Sequence, residues 1–471
     1  MTTRGRDHLT RSRCLAARVL RSRRRAALLA ACLVIALATH PVRAQTWTSW
    51  PERKPVPEPD YPDVTVTADW LGGHLDDSGV VVIDTRSLSS YRAGHVPGAV
   101  SLPPESVPEA GSLPELTRLP LFLGGIGLTG RERLVCCGEI SYSVDASRVF
   151  WLLEAAGAER VTMLEGGFAG WRLSGKPVES AHATLAPTEW VRSPNQELLA
   201  TSEYVRRSFG ETGVEILDAR GPDAWRGPLE RADWGVLRRV GHIPHALPLD
   251  LTAFFEPDGT FLGLPETWSH FTSIGPRPAN PVDVSCEFVV YGWGEGRRVD
   301  PEQPGEEAGG EGALAYFLLR RAGVERVRFY TGGWSDWSGD PYLPVVRIVP
   351  ADELMHRLHR SRHWLHPNSP PEDFAFFDVR HPADHTRSHI RGSITLRSDY
   401  FADSLDIKME QFWPDADRAT TPVLTYCYGE QCIRSRATST AAARVGFVYV
   451  ERFYGGLDEW LAAGGSVVRG E

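Results

Sequence analysis

Short apolar runs that alternate with longer helical stretches are the main pattern of this chain. The clearest runs have four or five residues and end in polar turns: Val80–Asp84, Val214–Asp218, Phe374–Asp378 and Val423–Tyr426. Runs of this length, bounded by turn residues, predict buried strands. Strands that alternate with helices form parallel sheets with helices on both faces. We therefore predict an α/β fold.

One succession of motifs occurs three times along the chain. Each unit has a strand ending in Asp-x-Arg, then a turn centred on a histidine, and then Gly-Gly-x-x-x-Trp. The aspartates are Asp84, Asp218 and Asp378, the histidines are His95, His242 and His389, and the closing tryptophans are Trp171, Trp337 and Trp460. Such repetition indicates repeated structural units. We predict modules at 64–182, 199–346 and 350–470, linkers near 176–200 and 346–371, and insertions in the middle unit at 227–239 and 294–312.

The first 44 residues have a different composition from the rest. They hold ten arginines and one acid, and an apolar run at Ala26–Ala38 precedes Val42-Arg-Ala44. A basic segment, a short apolar run and a small residue at the cut are typical of an export signal. The run is too short to span a bilayer comfortably. We predict a signal peptide at 1–44, cleavage after Ala44 and a periplasmic or secreted protein; twin-arginine export and lipidation at Cys32 remain open.

Charge and cysteine content narrow the possible partners. Removing ten positive charges and one negative charge takes the formal net charge from −9 to −18, which disfavours nucleic acid and anionic membranes. No later stretch predicts a transmembrane segment. Two of the seven cysteines lie in the leader, so five remain, too few for a disulfide scaffold. No cysteine or histidine spacing indicates a metal, and we predict none.

The strongest candidate for chemistry is the stretch from Val423 to Ser435. Cys427 lies where the predicted strand stops, and a helix is predicted to begin at Arg434 and Ser435. Loop N–H groups and the positive end of a helix dipole face such a thiol, lower its pKa and favour the nucleophilic thiolate. The same groups form a cradle for a small anion. A buried, inert cysteine is the alternative that these residues leave open.

The motifs, taken in order, resemble those of the rhodanese family of sulfurtransferases. They are Asp-x-Arg, Gly-His-x-Pro-Gly-Ala at Gly94–Ala99, a cysteine loop running into Arg434-Ser435, and Gly-Gly-x-x-x-Trp. The resemblance covers about residues 64–470. It implies three tandem modules, each a parallel five-stranded sheet with helices on both faces. It also implies that sulfane sulfur passes from thiosulfate or a similar small sulfur-containing anion to cyanide or a thiol through a cysteine persulfide, with no cofactor.

The resemblance assigns roles in the third module. Cys427 takes the position of the nucleophile, and Arg434 that of the group that stabilises the anionic donor and the leaving group. The substrate-binding residues would be Tyr428, Gly429, Glu430, Gln431, Cys432, Ile433 and Ser435. The loop is longer than the usual rhodanese loop and resembles that of a subset of exported members. A wider cradle would admit a donor larger than thiosulfate.

The other two modules lack this pattern. In the first, Cys137 is the best counterpart of the nucleophile, but the loop after it lacks Gly-x-Arg-Ser. In the second, Gly292 takes that position, so this module cannot hold a persulfide. Cys432 has two interpretations: a residue packed under the loop, or a resolving thiol that forms a disulfide with Cys427 or accepts its sulfur.

The repeated aspartates, arginines and histidines are interpreted as residues that fix turns, since a thiolate of low pKa needs no general base. Two other functions stay open. A Cys-dependent phosphatase or arsenate reductase would use Cys-x5-Arg, whereas this loop has six intervening residues and Glu430 would repel a dianion. A non-catalytic binding or redox scaffold would explain two modules without an intact loop.

Overall fold

The computed structural model describes residues 64–469, except 109, 142, 228–238, 258, 275–285, 295–309, 361–369, 397–400 and 431, and for 401–403 it describes the backbone alone. The described residues belong to one compact unit, Ser49–Glu471. The predicted signal peptide, Gln431 and most of the predicted insertions at 227–239 and 294–312 lie outside the described residues. None of the helices in the described part of the chain is long and apolar enough to cross a membrane.

The first sheet has five parallel strands in the order β1-β5-β4-β2-β3. The strands are β1 (Thr65–Val66), β2 (Val80–Asp84), β3 (Val100–Ser101), β4 (Arg133–Cys137) and β5 (Arg160–Leu164). The helices between and after them are α1 (Ala68–Gly72), α2 (Leu88–Ala93), α3 (Leu113–Leu116), α4 (Leu119–Gly125), α5 (Val144–Ala155) and α6 (Gly167–Leu173), with a 3-10 turn at Pro104–Ser106.

The second sheet has four parallel strands in the order β7-β6-β8-β9. They are β6 (Val214–Asp218), β7 (Leu247–Pro248), β8 (Glu287–Tyr291) and β9 (Val327–Tyr330). The helices are α7 (Ser202–Ser208), α8 (Pro222–Arg226), α9 (Leu264–Ser273), α10 (Glu311–Arg321) and α11 (Gly333–Gly339), with 3-10 turns at Gln196–Leu198 and Leu251–Phe254.

Within the described residues, the second sheet therefore has one strand fewer than the five predicted. The edge held by β1 in the first sheet is occupied here by a single parallel bridge between Leu199 and Phe329. A 3-10 turn ends at Leu198, and Thr201 already caps α7 by accepting a hydrogen bond from the Tyr204 N–H. Too little chain remains between the turn and the cap to form a strand.

The third sheet has five parallel strands in the order β10-β15-β14-β11-β13, and β12 pairs with β16 as an antiparallel ribbon. The strands are β10 (Val345–Ile348), β11 (Ala375–Asp378), β12 (His389–Ile390), β13 (Ile394–Thr395), β14 (Val423–Tyr426), β15 (Tyr449–Phe453) and β16 (Val467–Val468). The helices are α12 (Ala351–Arg360), α13 (Pro382–Arg387), α14 (Phe401–Phe412), α15 (Ile433–Arg444) and α16 (Gly456–Ala462).

The predicted linker at 346–371 is wrong over its first half. β10 pairs in parallel with β15, residue Val345 opposite Tyr449, and α12 follows at once. The residues Leu354 and Leu358 of α12 are buried in a core of the third sheet. This stretch therefore forms one edge of the third sheet and part of its helical cover.

Helices cover both faces of the third sheet, as predicted. Successive residues of a strand point to opposite faces. Phe376 and Tyr426 pack with Trp460 on one side, whereas Phe377 packs with Ala442 of α15 on the other. The α15 face of the sheet continues into a shared core with the second sheet. The second sheet also shares a core with the first, where the rings of Phe150 and Phe317 lie 5.2 Å apart.

The repeated Asp-x-Arg motif fixes the same turn three times. In each copy the arginine donates to the aspartate carboxylate and also to a backbone carbonyl eight or more residues later: Asp84–Arg86 with Gly94, Asp218–Arg220 with Gly241, and Asp378–Arg380 with Ser388. All three pairs are buried. These contacts agree with the predicted role in turn formation.

The repeated histidines have equivalent surroundings. His95, His242 and His389 each place Nδ1 within hydrogen-bond distance of a backbone carbonyl of the preceding helix, and each ring stacks on an aromatic ring of that helix. Their backbones form antiparallel bridges with Glu179, Val346 and Val468. The histidines thus join the start of a unit to its end, which agrees with their predicted role in the turn.

Candidate functional site

Cys427 lies at the carboxyl end of β14, a strand in the interior of the third sheet. The preceding residue anchors the strand end: the Tyr426 hydroxyl donates to Asp378 at 2.8 Å and accepts from the Ile390 N–H. α15 begins at Ile433, one residue before the predicted start, and Cys432 is its N-cap. The twelve-residue helix therefore directs its N-terminal N–H groups and positive dipole end towards the loop after Cys427.

The loop is held against α16 by the second glycine of the Gly-Gly doublet. The Leu457 N–H donates to the Cys427 carbonyl at 3.0 Å, and the Asp458 N–H donates to the Tyr428 carbonyl at 3.0 Å. Gly456 directly precedes these two residues. Its φ is +58°, and a Cβ there would lie 2.5 Å from the Cys427 oxygen. Only glycine permits this approach. The repeated doublet thus shapes the candidate loop.

Cys427 and Cys432 are joined in a disulfide across the loop, with their Cα atoms 6.2 Å apart. That separation lies in the range that disulfides accept. Both residues are buried, Cys427 at 1% exposure and Cys432 at 7%. Of the two interpretations of Cys432, the structure agrees with the one in which it forms a disulfide with Cys427. This form has no thiolate at Cys427, so nucleophilic chemistry requires prior reduction.

The other predicted loop residues surround the disulfide with mixed charge. Tyr428 is exposed and its hydroxyl donates to Asp384 at 2.5 Å, a bond that lowers the pKa of the Asp384 carboxyl. Gly429 approaches Asp458 so closely that a Cβ would lie 2.9 Å from its carboxylate. Glu430 is exposed. The acidic side chains of Asp384, Glu430 and Asp458 therefore lie around the loop near the positive end of α15, and we call them the acidic rim.

Three predicted residues belong to the first turn of α15. Ile433 and Arg434 are partly exposed, and Ser435 is buried. The Ser435 hydroxyl donates to the Cys432 carbonyl at 3.3 Å. The structure thus brings together Cys427, Cys432 and the start of the helix, with Arg434 at its second position.

The assignment of Cys137 as the counterpart of Cys427 is wrong. In the strand register, Asp84 pairs with Cys137 as Asp378 pairs with Tyr426. Cys137 therefore matches Tyr426, and the residue after it, Gly138, matches Cys427. The contact with the following helix agrees: the Phe168 N–H donates to the Gly138 carbonyl at 2.8 Å, as the Leu457 N–H does to the Cys427 carbonyl. A shift of one residue turns a side chain to the opposite face of the sheet.

Burial also makes Cys137 a poor nucleophile. Cys136 and Cys137 are both fully buried. Burial raises the pKa of the Cys137 thiol well above its usual range, and the nearby Asp84 carboxylate raises it further. Burial likewise raises the pKa of Cys136. A thiol that stays protonated is neither nucleophilic nor anion-stabilising.

The second sheet agrees with the prediction for Gly292. Asp218 pairs with Tyr291, and the Trp334 N–H donates to the Gly292 carbonyl at 2.9 Å. A Cβ on Gly292 would lie 2.8 Å from the Gly312 nitrogen. The position of the nucleophile thus holds glycine in the first two sheets and cysteine in the third.

Sequence reasoning missed Arg452 of β15. Its side chain is buried and donates to the Ser435 hydroxyl at 3.3 Å. The available signal was a charged pair, Glu451-Arg452, inside an otherwise apolar strand. The described residues contain no cluster of three or more His, Cys, Asp or Glu side chains that could hold a metal ion.

Parts of this chain are similar to known proteins. The rhodanese-like domain family matches residues 67–174 and 361–463; the second match contains the Cys427 loop, and neither contains the second sheet. The 3-mercaptopyruvate sulfurtransferase of Escherichia coli is 27% identical over 298 residues, which cover 60% of this chain and 98% of the relative. The thiosulfate sulfurtransferase of Azotobacter vinelandii is 26% identical over 280 residues, 58% of this chain and 94% of the relative.

A solved structure with the same fold is the anaerobic ergothioneine biosynthesis enzyme of Chlorobium limicola in complex with trimethyl histidine. It has a TM-score of 0.50 and 20% identity, and it covers 63% of this chain and 73% of that one. The matched parts of the chain therefore have a rhodanese-like α/β fold with parallel sheets, and the chain has sulfurtransferases among its relatives.

Proposed function

We propose that this protein is an exported sulfurtransferase that carries sulfane sulfur on Cys427. Thiosulfate or a similar small sulfur-containing anion is the donor, and cyanide or a thiol is the acceptor. The observation that carries the proposal is the position of Cys427, at the carboxyl end of β14 and facing the N-terminus of α15, inside a segment that matches the rhodanese-like domain. The sulfurtransferases among the relatives support the same chemistry.

The proposed cycle begins with reduction of the Cys427–Cys432 disulfide by a dithiol, which is itself oxidised to a disulfide. The Cys427 thiolate then attacks the outer sulfur of thiosulfate. A new S–S bond forms, the S–S bond of thiosulfate breaks, and sulfite leaves with the electron pair. Cyanide or a thiolate next attacks the outer sulfur of the persulfide, which gives thiocyanate or a new persulfide and restores the Cys427 thiolate.

The loop residues have distinct proposed roles. N–H groups of the loop and of the first turn of α15 would bind the donor oxyanion, assisted by Arg434, as preorganised donors do at other anionic centres. Tyr428, Gly429, Glu430, Gln431, Ile433 and Ser435 would shape the cradle. The acidic rim formed by Asp384, Glu430 and Asp458 opposes the entry of a small dianion, so we expect the cradle to bind free thiosulfate weakly.

We further propose that the chain consists of three tandem rhodanese-like modules at 64–182, 199–346 and 350–470, except that β10 (Val345–Ile348) belongs to the third module, because it pairs with β15. The repeated aspartate–arginine and histidine contacts support this division, since each occurs once in each sheet. The first two modules would hold the third in place or bind a partner, because glycine stands at the nucleophile position in both. Export through a leader cleaved after Ala44 is supported by the composition of residues 1–44 alone.

The proposal is tested by incubating reduced protein with thiosulfate labelled in its outer sulfur. Wild type is expected to retain label after gel filtration, Cys427→Ala to retain none, and Cys137→Ala to retain as much as wild type. Absence of label from wild type with every sulfane donor tried would reject sulfur transfer. Release of phosphate from an aryl phosphate would instead support the phosphatase interpretation.

A second candidate is a redox or binding scaffold without catalysis. The closed Cys427–Cys432 disulfide favours it, because a disulfide that closes and opens within a loop can report the redox state of its surroundings. In that case reduction and reoxidation would be reversible, and reduced protein would acquire no sulfur.

A further inference from the structure

A cavity of about 240 Å³ lies between the second and third sheets. The residues that line it come from the elements around both sheets. Those around the second sheet are apolar or aromatic, among them Trp225, Leu249 and Phe254, whereas those around the third are Arg436, Arg452 and Tyr454. Cys427 is not among the residues that line this cavity. The cavity therefore does not include the Cys427–Cys432 loop, although Arg436 of α15 lines it.

Arg452 is a buried cation without a carboxylate partner among the described residues. Its side chain is 3% exposed. One guanidinium nitrogen donates to Ser435, and its Nε has no hydrogen-bond acceptor within the described part of the chain. Burial, opposed by the neighbouring Tyr454 and reinforced by Arg436, lowers the pKa of Arg452 to about 10. The buried Arg86, Arg220 and Arg380 differ, since each pairs with an aspartate. A buried charge without a counter-ion is unfavourable.

The remaining charged groups leave this end of the cavity positive. Arg436 bonds to the Glu215 carboxylate at 2.8 Å and to the His245 carbonyl, so its charge is balanced. Asp250 also lines the cavity, but it is exposed at the rim and its carboxylate accepts from the N–H and hydroxyl of Thr252. Of the two arginines among the described residues that line the cavity, Arg452 is the one without a carboxylate partner.

The opposite wall is apolar and aromatic. The Trp225 indole stacks on His242 and meets the Tyr454 ring edge-on, with centroids 5.6 Å apart. Phe254 is buried and packs on Phe271. A rigid aromatic wall facing one buried cation is suited to a ligand with an apolar body and one anionic head.

We propose that this cavity binds a small organic monocarboxylate, whose head pairs with Arg452 and whose apolar or single-ring body lies against Trp225 and Phe254. The cavity is smaller than most ligand sites, which favours one ring over two. This site does not depend on sulfur transfer. A bound ligand would nevertheless compete with Ser435 for the Arg452 guanidinium. It would therefore affect the first turn of α15, which follows the Cys427 loop.

The test is calorimetric titration of the purified protein with benzoate, with the neutral isostere benzamide and with sulfate, all at constant ionic strength. Benzoate is expected to bind, and benzamide and sulfate to bind at least tenfold more weakly. Arg452→Met should weaken benzoate at least tenfold. Arg444→Met, a control at the last residue of α15 where the arginine pairs with Glu211, should leave benzoate binding unchanged.

A second variant guards against indirect effects of Arg452→Met. Ala253→Leu keeps Arg452 but fills the cavity, and it should also abolish benzoate binding while thermal unfolding remains cooperative. Equal benzoate affinity in wild type and Arg452→Met, or no benzoate binding by wild type, would overturn the site. Sulfate that binds as tightly as benzoate would overturn the organic monocarboxylate as its ligand.

Discussion

Gly456 lies against the carbonyl of Cys427, so that a Cβ at Gly456 would be 2.5 Å from the Cys427 oxygen. The pair recurs as Gly167 with Gly138 and Gly333 with Gly292, where a Cβ would lie 2.7 and 2.6 Å from the carbonyl oxygen. The fold therefore uses the Gly-Gly doublet to press a loop against the next helix in all three sheets. Only the third loop carries a thiol at that point.

Gly456→Ala should damage both the loop and the fold. The new methyl group would push Cys427 away from the N-terminus of α15, and φ +58° strains any residue with a Cβ. We expect a loss of about 2 kcal/mol in the free energy of unfolding and a fall of roughly tenfold or more in sulfur transfer. Chemical denaturation and a thiocyanate assay measure the two effects.

Gly464→Ala is the matched control for this prediction. Gly464 also has positive φ, at +85°, but a Cβ there would meet no atom within 4 Å. It should lower stability by about 1 kcal/mol and leave sulfur transfer unchanged. Equal losses of activity in the two variants would show that backbone strain, rather than contact with the loop, causes the effect.

Cys432→Ser should remove the need for a reductant. The disulfide of Cys432 with Cys427 blocks the proposed nucleophile, and a serine cannot form it. We expect oxidised wild type to transfer sulfur only after treatment with a dithiol, and Cys432→Ser to do so without one. A thiocyanate assay with and without dithiothreitol makes the comparison. A Cys432→Ser protein that is inactive when fully reduced would indicate instead that Cys432 takes part in the transfer.

Cys137 should stay unmodified in the native protein. Its burial and raised thiol pKa predict slow alkylation. Iodoacetamide treatment of the reduced native protein, followed by peptide mapping, should label Cys427 far faster than Cys137. Labelling at comparable rates would contradict the assignment of Gly138 as the counterpart of Cys427.

Stability should fall on mild acidification, because histidines are buried in neutral form. Burial lowers the pKa of His245 to about 3, and it also lowers the pKa of His242 and of His389. The unfolded chain takes up these protons near pH 6.5, so stability is fully present above that pH and falls below it. Each group contributes a slope of at most about 1.4 kcal/mol per pH unit.

His245→Asn tests this contribution. Asparagine tolerates the positive φ of 72° at this position but takes up no proton. Urea denaturation between pH 7 and 5 should show a shallower loss of stability in His245→Asn than in wild type. The surface variant His356→Asn should keep the wild-type slope, and a wild-type slope in His245→Asn would contradict the prediction.

Much of the architecture follows from local patterns. The Asp-x-Arg, histidine and Gly-Gly-x-x-x-Trp motifs are each short and recur in the same order, so they predict repeated units and the location of the Cys427 loop. The prediction of a linker at 346–371 rests on Pro367, Pro370 and Pro371 near its end. β10 has only four residues and is stabilised by pairing with β15, about a hundred residues away, a contact that the local sequence does not reveal.

The finer details of the site depend on register and on distant contacts. Cys137 was aligned by residue type, but its pairing with Asp84 places it one position before the nucleophile. The disulfide of Cys427 requires a Cα distance that spacing alone does not determine. Arg452 becomes a candidate only once burial and the absence of a described carboxylate partner are known. Such features arise from tertiary packing, which motif spacing does not contain.

The most direct test of the central claim is the peptide mass of Cys427 after reduced protein has been incubated with thiosulfate. We predict a gain of one sulfur atom on the peptide that contains Cys427, and cyanide should remove this sulfur. Peptides that contain Cys136, Cys137 or Cys286 should gain none. A Cys427–Cys432 disulfide alone, with no added sulfur from any sulfane donor, would contradict sulfur transfer and support a redox scaffold.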